Sequence, residues 1–191
     1  MERFDLLRAM REWVTDEVVV TALGFTSREW FALGNRCENF YLLGSMGMVV
    51  PVGLGLAMRG SSDVFAIEGD GSCLMNLGVL ATVGALKPKQ LHVVVVDNGV
   101  YESTGGQPTS ASAADFVKLA QAAGISEARS VDAVSELPGA ISWLAGSGPR
   151  LLVARVAPVH RDVPRVPITP RHIAEAVGSR LTDLESAKSK L

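Results

Sequence analysis

Residues 63–99 read DVFAIEGDGSCLMNLGVLATVGALKPKQLHVVVVDNG, and the way this stretch divides decides the fold. Two apolar, β-branched runs, Val64–Ile67 and Val93–Val96, stand at its ends. A continuous run of this kind suits a strand covered on both faces, which is the normal state of a parallel sheet. Between them, residues 72–86 carry apolar side chains at helical rather than alternating spacing. Strand, helix, strand in that order is a βαβ crossover, and such crossovers are right-handed and parallel. Each strand ends in a glycine-containing polar turn, Gly69-Asp70-Gly71 and Asp97-Asn98-Gly99. A turn of the first kind can hold a phosphate, hold a metal, or simply be a turn.

Outward from this unit the same alternation continues. The sequence predicts helices over 4–13, 27–33 (capped by Ser27), 48–58, 113–124 and 136–146, with strands over 17–23, 40–43 and 149–157. Residues 99–112 are expected as a loop. Helices of this length between strands imply a doubly wound, three-layer α/β domain with a parallel sheet. Residues 1–157 are read as that domain. Residues 158–191 are read as a proline-rich extension followed by a C-terminal helix, packed on the domain or on a partner.

Composition removes several functional classes. A net charge of −2 in 191 residues offers no basic patch for nucleic acid. The two cysteines, Cys37 and Cys73, have neither disulfide nor zinc spacing, which fits a reducing cytoplasm. The charged, helix-like start lacks the apolar centre of a signal peptide. The nearly uncharged stretch 40–58 is interrupted by glycines and a proline, so a buried strand, turn and helix explains it better than a membrane span.

Ligands of open parallel sheets bind beyond the carboxyl ends of the strands. Three loops hold such positions: Gly44–Gly47, Gly69–Ser72 and 97–109. None is a dinucleotide loop, because no G-x-G-x-x-G occurs in the chain, and the Walker lysine motif is absent too. Asp70 and Asn98 each close a buried strand, with one helix between them. That puts a carboxylate and a carboxamide side by side, as a hard cation such as magnesium prefers. The amides of Gly71 and Ser72 at the following helix start favour an anion. The bland alternative, a glycine turn and an Asn-Gly turn, loses ground because the two turns occur together.

These motifs resemble those of the thiamine diphosphate-dependent enzymes. The segment FYLLGSMGMVVPVGLGLAM (40–58) is similar to the cofactor-pocket segment of their pyruvate-decarboxylase-like branch. VVDNGVYESTGGQPT (95–109) is similar to the sulfopyruvate and phosphonopyruvate decarboxylase family. The resemblance implies a thiamine diphosphate-binding fold of the diphosphate (PP) type. It implies magnesium held by Asp70, the Asn98 side chain and the Val100 carbonyl. It further implies diphosphate on Gly69, Gly71 and Ser72, an aminopyrimidine bonded to the Gly44 carbonyl beside Ser45, and Met46 as the wedge beneath the bent cofactor. Tyr101, Glu102 and Ser103 are expected to cover the diphosphate side.

The same resemblance implies what the chain lacks. The glutamate that activates the pyrimidine belongs to a separate pyrimidine-binding domain, for which 191 residues leave no room. Glu68 stands at the metal end, away from the pyrimidine, and His92, His160 and His172 are expected to be structural or solvent-facing. The expectation is a β subunit of a heteromeric decarboxylase acting on a small anionic 2-oxoacid. It works with an α partner in an α2β2 or larger assembly, without nucleic acid or membrane, and the apolar helix of 72–86 is a candidate contact face. Alternatives are a carboligase half resembling acetolactate synthase, and a magnesium–phosphate scaffold without catalysis.

Overall fold

The computed structural model describes residues 1–59 and 62–188. Eight strands follow in chain order: β1 (Val18–Thr21), β2 (Asn39–Tyr41), β3 (Val64–Gly69), β4 (Leu91–Asp97), β5 (Val100–Tyr101), β6 (Gln107–Pro108), β7 (Glu127–Val131) and β8 (Arg150–Arg155). The main sheet runs β2-β1-β3-β4-β8-β7, and every neighbouring pair is parallel. β5 and β6 form a separate antiparallel ribbon inside the stretch expected as a loop. The helices are α1 (Arg3–Trp13), α2 (Phe25–Ala32), α3 (Val49–Met58), α4 (Asp70–Met75), α5 (Val79–Leu86), α6 (Phe116–Ala122), α7 (Leu137–Leu144) and α8 (Pro170–Lys188).

The apolar run of β4 feeds both faces. Leu91, Val93 and Val95 pack with residues of α3, α5 and α6, whereas Val94 and Val96 pack with α1, Trp30 of α2 and α7. This is the three-layer doubly wound arrangement expected from the sequence, and it explains why the run does not alternate with polar residues. The chain moves from β1 outward to β2, then crosses back to lay β3 on the other side of β1. The switch point between β1 and β3 opens a crevice at their carboxyl ends, which is where such folds bind ligands.

Three expectations need correction. Ser27 does not cap α2: the helix starts at Phe25 behind Gly24, and the buried Ser27 hydroxyl donates back to the Gly24 carbonyl at 3.0 Å. The helix expected over 72–86 is two helices, α4 and α5. Asn76 leaves the helical region (φ −137°, ψ 47°), and its Nδ2 donates to the Gly47 carbonyl at 3.0 Å. A tertiary hydrogen bond thus breaks a pattern that looks continuous. No strand is expected at β7, because an edge strand with mostly exposed residues carries no apolar run.

The tail folds back on the rest of the chain. Val156 and Ala157 extend β8 toward Met1, the Ala157 amide donating to its carbonyl at 2.9 Å. α8 lies against β2, with Ile173 and Val177 buried and Arg180 paired to Glu38 at 3.1 Å. Among the described residues no helix is long and apolar enough to cross a membrane.

Candidate active site

Three strand ends meet at the switch point. Ala22–Thr26 follow β1, Gly69–Ser72 run on from the end of β3, and Asn98 and Val100–Thr104 follow β4; together with Met46 these line one pocket. The register places Gly69 opposite Val96, so Asp70 and Asn98 leave the sheet side by side.

The floor is built on Asp70. It is 2% exposed, and its Oδ2 accepts a 2.5 Å hydrogen bond from the Thr109 hydroxyl. Burial raises its pKa, and the nearby Asp97 carboxylate adds to the rise, although the Thr109 bond opposes it. Asp70 forms no ion pair among the described residues, so the negative charge of the floor has no internal counter-charge. Asn98 turns its carboxamide across the same space: Oδ1 accepts from the Val100 amide at 3.1 Å, and Nδ2 donates to Glu102 at 3.1 Å. Gly71 is required by close approach. A Cβ there would stand 2.3 Å from Cε1 of Tyr101 and 2.9 Å from Cγ2 of Thr109, so glycine lets both side chains close over the start of α4. The Ser72 hydroxyl accepts from the Gly47 amide at 2.8 Å, which ties the 44–47 loop to α4.

The rim is an ion network. Arg3, 3% exposed on α1, forks onto Glu29 at 3.0 Å through both Nε and Nη2, and reaches Glu102 at 2.5 Å through Nη1. Burial works against the charge on Arg3, but the two carboxylates outweigh it and raise its pKa. His160 hydrogen-bonds Glu102 at 2.9 Å and stacks on Phe25 with ring centres 3.6 Å apart. The Arg161 amide donates to Glu29 at 2.9 Å. The 98–104 loop, α1, α2 and the tail are thereby joined at the pocket mouth.

Residues 22–154 match the thiamine pyrophosphate enzyme family over its C-terminal TPP binding domain. The chain belongs to this family. It is 39% identical over 174 residues to a sulfopyruvate decarboxylase subunit beta of Methanococcus maripaludis, covering 91% of this chain and 94% of that one. It is 40% identical over 171 residues to a phosphonopyruvate decarboxylase of Streptomyces viridochromogenes, covering 88% of this chain but 43% of that longer protein. The solved benzoylformate decarboxylase of Polynucleobacter necessarius shares the fold, with a TM-score of 0.68 at 18% identity, over 84% of this chain and 34% of that one.

The residues present fit the family's cofactor. A buried carboxylate without a counter-charge, a carboxamide and the Val100 backbone offer the hard oxygen donors that a magnesium–diphosphate pair uses. Among the described residues no group of three or more His, Cys, Asp or Glu side chains suits a softer metal. Met46, Gly69, Asp70, Gly71, Ser72, Asn98, Val100, Tyr101, Glu102 and Ser103 all line the pocket. Gly44 and Ser45 do not; they are exposed on the loop between β2 and α3. Glu68 is wholly buried behind the pocket rather than in it. His92 is buried, stacked on Phe65, and burial lowers its pKa, so it is a neutral core residue. His160 is solvent-exposed, as expected, yet it belongs to the rim.

No sequence pattern marks Arg3, Phe25, Glu29 or Thr109 as a site residue. Arg3 sits 26 residues from Glu29 and 99 from Glu102, and nothing local distinguishes it from an ordinary helix-surface arginine. Thr109 lay inside the polar run 103–109, with no spacing that singled it out.

Proposed function

We propose that this chain is the diphosphate- and magnesium-binding β subunit of a heteromeric thiamine diphosphate-dependent 2-oxoacid decarboxylase. Its substrate is sulfopyruvate, converted to sulfoacetaldehyde and CO2, and it works in the cytoplasm with an α partner carrying the pyrimidine-binding domain. The observation that carries this reading is the uncompensated Asp70 carboxylate beside Asn98 in one pocket, within a chain similar end to end to a sulfopyruvate decarboxylase subunit beta. Phosphonopyruvate is the second substrate reading, favoured by the comparable identity to a phosphonopyruvate decarboxylase.

When bound, thiamine diphosphate supplies the electron sink for loss of CO2. The chain's own residues hold and orient it. Asp70, Asn98 and the Val100 carbonyl would ligate the magnesium, and the Gly71 and Ser72 amides would take the diphosphate. Met46 would support the rings, and its flexible thioether can fill the gap between them. The Gly44 carbonyl, on an exposed loop, would face the partner's side of the cofactor. Leu43, Met48 and Met75 expose 46%, 40% and 59% of their surface near that loop, an apolar rim suited to a partner subunit.

The test is calorimetric binding of thiamine diphosphate with magnesium to the chain assembled with its α partner, followed by CO2 release from each oxoacid. Asp70→Ala is expected to weaken magnesium-dependent cofactor binding by about 100-fold or more. If the wild-type assembly bound no cofactor, or if Asp70→Ala bound it equally well, the decarboxylase reading would fail and a phosphate-binding scaffold would replace it.

A further inference from the structure

A second cavity of about 370 Å³ adjoins the pocket. The two share Leu23, Gly24 and Ser103 as a common wall. At that wall the chains approach closely: Gly24 has a left-handed φ of +79°, and a Cβ built on it would meet Cβ of Ser103 at 3.4 Å. The far side of the cavity carries two guanidinium groups, Arg28 from α2 and Arg165 from the proline-rich extension. Its lining holds no carboxylate.

Two arginines at the pocket mouth are already engaged: Arg3 with Glu29 and Glu102, Arg161 with Glu2 at 2.8 Å. The guanidinium groups of Arg28 and Arg165 form no ion pair or hydrogen bond among the described residues. Arg28 instead lies 4.9 Å over the ring of Phe25, a cation–π contact that leaves its N–H groups without a hydrogen-bond acceptor among the described residues. Phe25 is itself a wall of the main pocket and the stacking partner of His160. The His160 stack and the bond from the Arg161 amide to Glu29 pin the extension across the mouth, which brings Arg165 to the cavity.

We propose that Arg28 and Arg165 form an anion subsite on this chain that takes the distal sulfonate or phosphonate of a 2-oxoacid. This rests on reading the main pocket as the site of a 2-oxoacid decarboxylase. In such a substrate a single methylene separates the keto carbon from the distal anion. Its counter-charge must therefore adjoin the reaction pocket directly, as this cavity does. Planar guanidinium groups match the tetrahedral oxyanion in paired hydrogen bonds. The volume holds that group and several waters, since each water takes about 30 Å³. The proline-rich extension thereby acquires a role, carrying one of the two cations that select the substrate.

The test uses the chain assembled with its α partner. The ratio of kcat/KM for sulfopyruvate to that for pyruvate, which lacks the distal anion, is measured for wild type, Arg28→Ala, Arg165→Ala and Arg28→Lys. The ratio is expected to fall about 10- to 100-fold in each alanine variant, mainly through KM for sulfopyruvate, with part of it restored by lysine. An unchanged ratio overturns the proposal. So does release of the α subunit from either alanine variant in size-exclusion chromatography, because the arginines would then serve the interface. Arg165 is exposed, so its variant reads out even if Arg28→Ala fails to fold. Calorimetry of the assembly with sulfoacetate separates the two readings. Binding lost in the double alanine variant upholds the anion subsite even if neither oxoacid is turned over; no binding by wild type overturns it.

Discussion

The floor and the rim of the pocket handle charge in opposite ways. At the floor, Asp70 is buried with a hydroxyl for company and a second carboxylate, Asp97, nearby. At the rim, Arg3 is buried just as deeply but lies between Glu29 and Glu102, and every charge has an opposite within hydrogen-bond reach. The floor leaves negative charge for something outside the chain to neutralise, as the proposed magnesium would. The rim sets Glu29 and Glu102 against Arg3 and so holds α1, α2, the 98–104 loop and the tail together. Burial alone does not make a functional charge; what matters is whether the chain supplies its partner.

Substitutions can break or sharpen that contrast. The largest effect is expected at the rim. Arg3→Met strands the buried Glu29 carboxylate and should cost about 3–5 kcal/mol in urea unfolding, because removing one member of a buried pair leaves the other uncompensated. Adding Glu29→Met should recover much of the loss. If the single variant were as stable as wild type, the rim would not be a structural lock.

Next comes Glu68, directly behind the floor. Burial raises its pKa from 4.5 to about 7, while Ser72 and the amides of Gly69, Val49 and Val50 oppose the rise. The native state therefore keeps a proton that the unfolded chain has already released between about pH 4.5 and 7. The contribution of this group is intact below pH 4.5 and is lost as pH rises through 7, by about 3 kcal/mol. Unfolding free energies measured from pH 4.5 to 8 should show that decline, and Glu68→Gln should flatten it. A flat profile in wild type would mean that the carboxylate is better solvated than its position indicates.

A smaller loss, about 1–3 kcal/mol, is expected for Gly71→Ala, since its methyl group overlaps Tyr101 and Thr109. Thermal unfolding measures it, and a loss close to zero would mean that Tyr101 swings aside freely. The smallest effect belongs to His160→Ala. The exposed His160 holds Glu102 through a single hydrogen bond, so stability should change by less than about 1 kcal/mol, while protease cleavage within 157–169 should quicken. A large loss of stability there would make the tail part of the lock rather than a strap over it.

How much of this was legible in the sequence follows the same division. The floor comes from turns in which each functional residue stands at the end of an apolar strand, so Asp70, Gly71 and Asn98 could be read from spacing. The break at Asn76 could not, because the hydrogen bond that causes it comes from Gly47, in another loop. β7 could not either, since an edge strand needs no apolar run. The rim was invisible for the same reason: its contacts span 26, 58 and 99 residues, and no local pattern encodes them.

By itself, then, the sequence determined the doubly wound sheet, its layers and the pair of oxygen donors at its strand ends. Those features depend on periodicity and on short turns, which local residue order controls. Only the tertiary structure decided that Arg3 and Glu102 neutralise each other and that the tail crosses the pocket mouth. It also decided that, among the described residues, Arg28 and Arg165 stand without carboxylate partners beside the pocket. Charge pairing depends on distance in space, and the fold brings to within 3 Å groups that the chain keeps far apart.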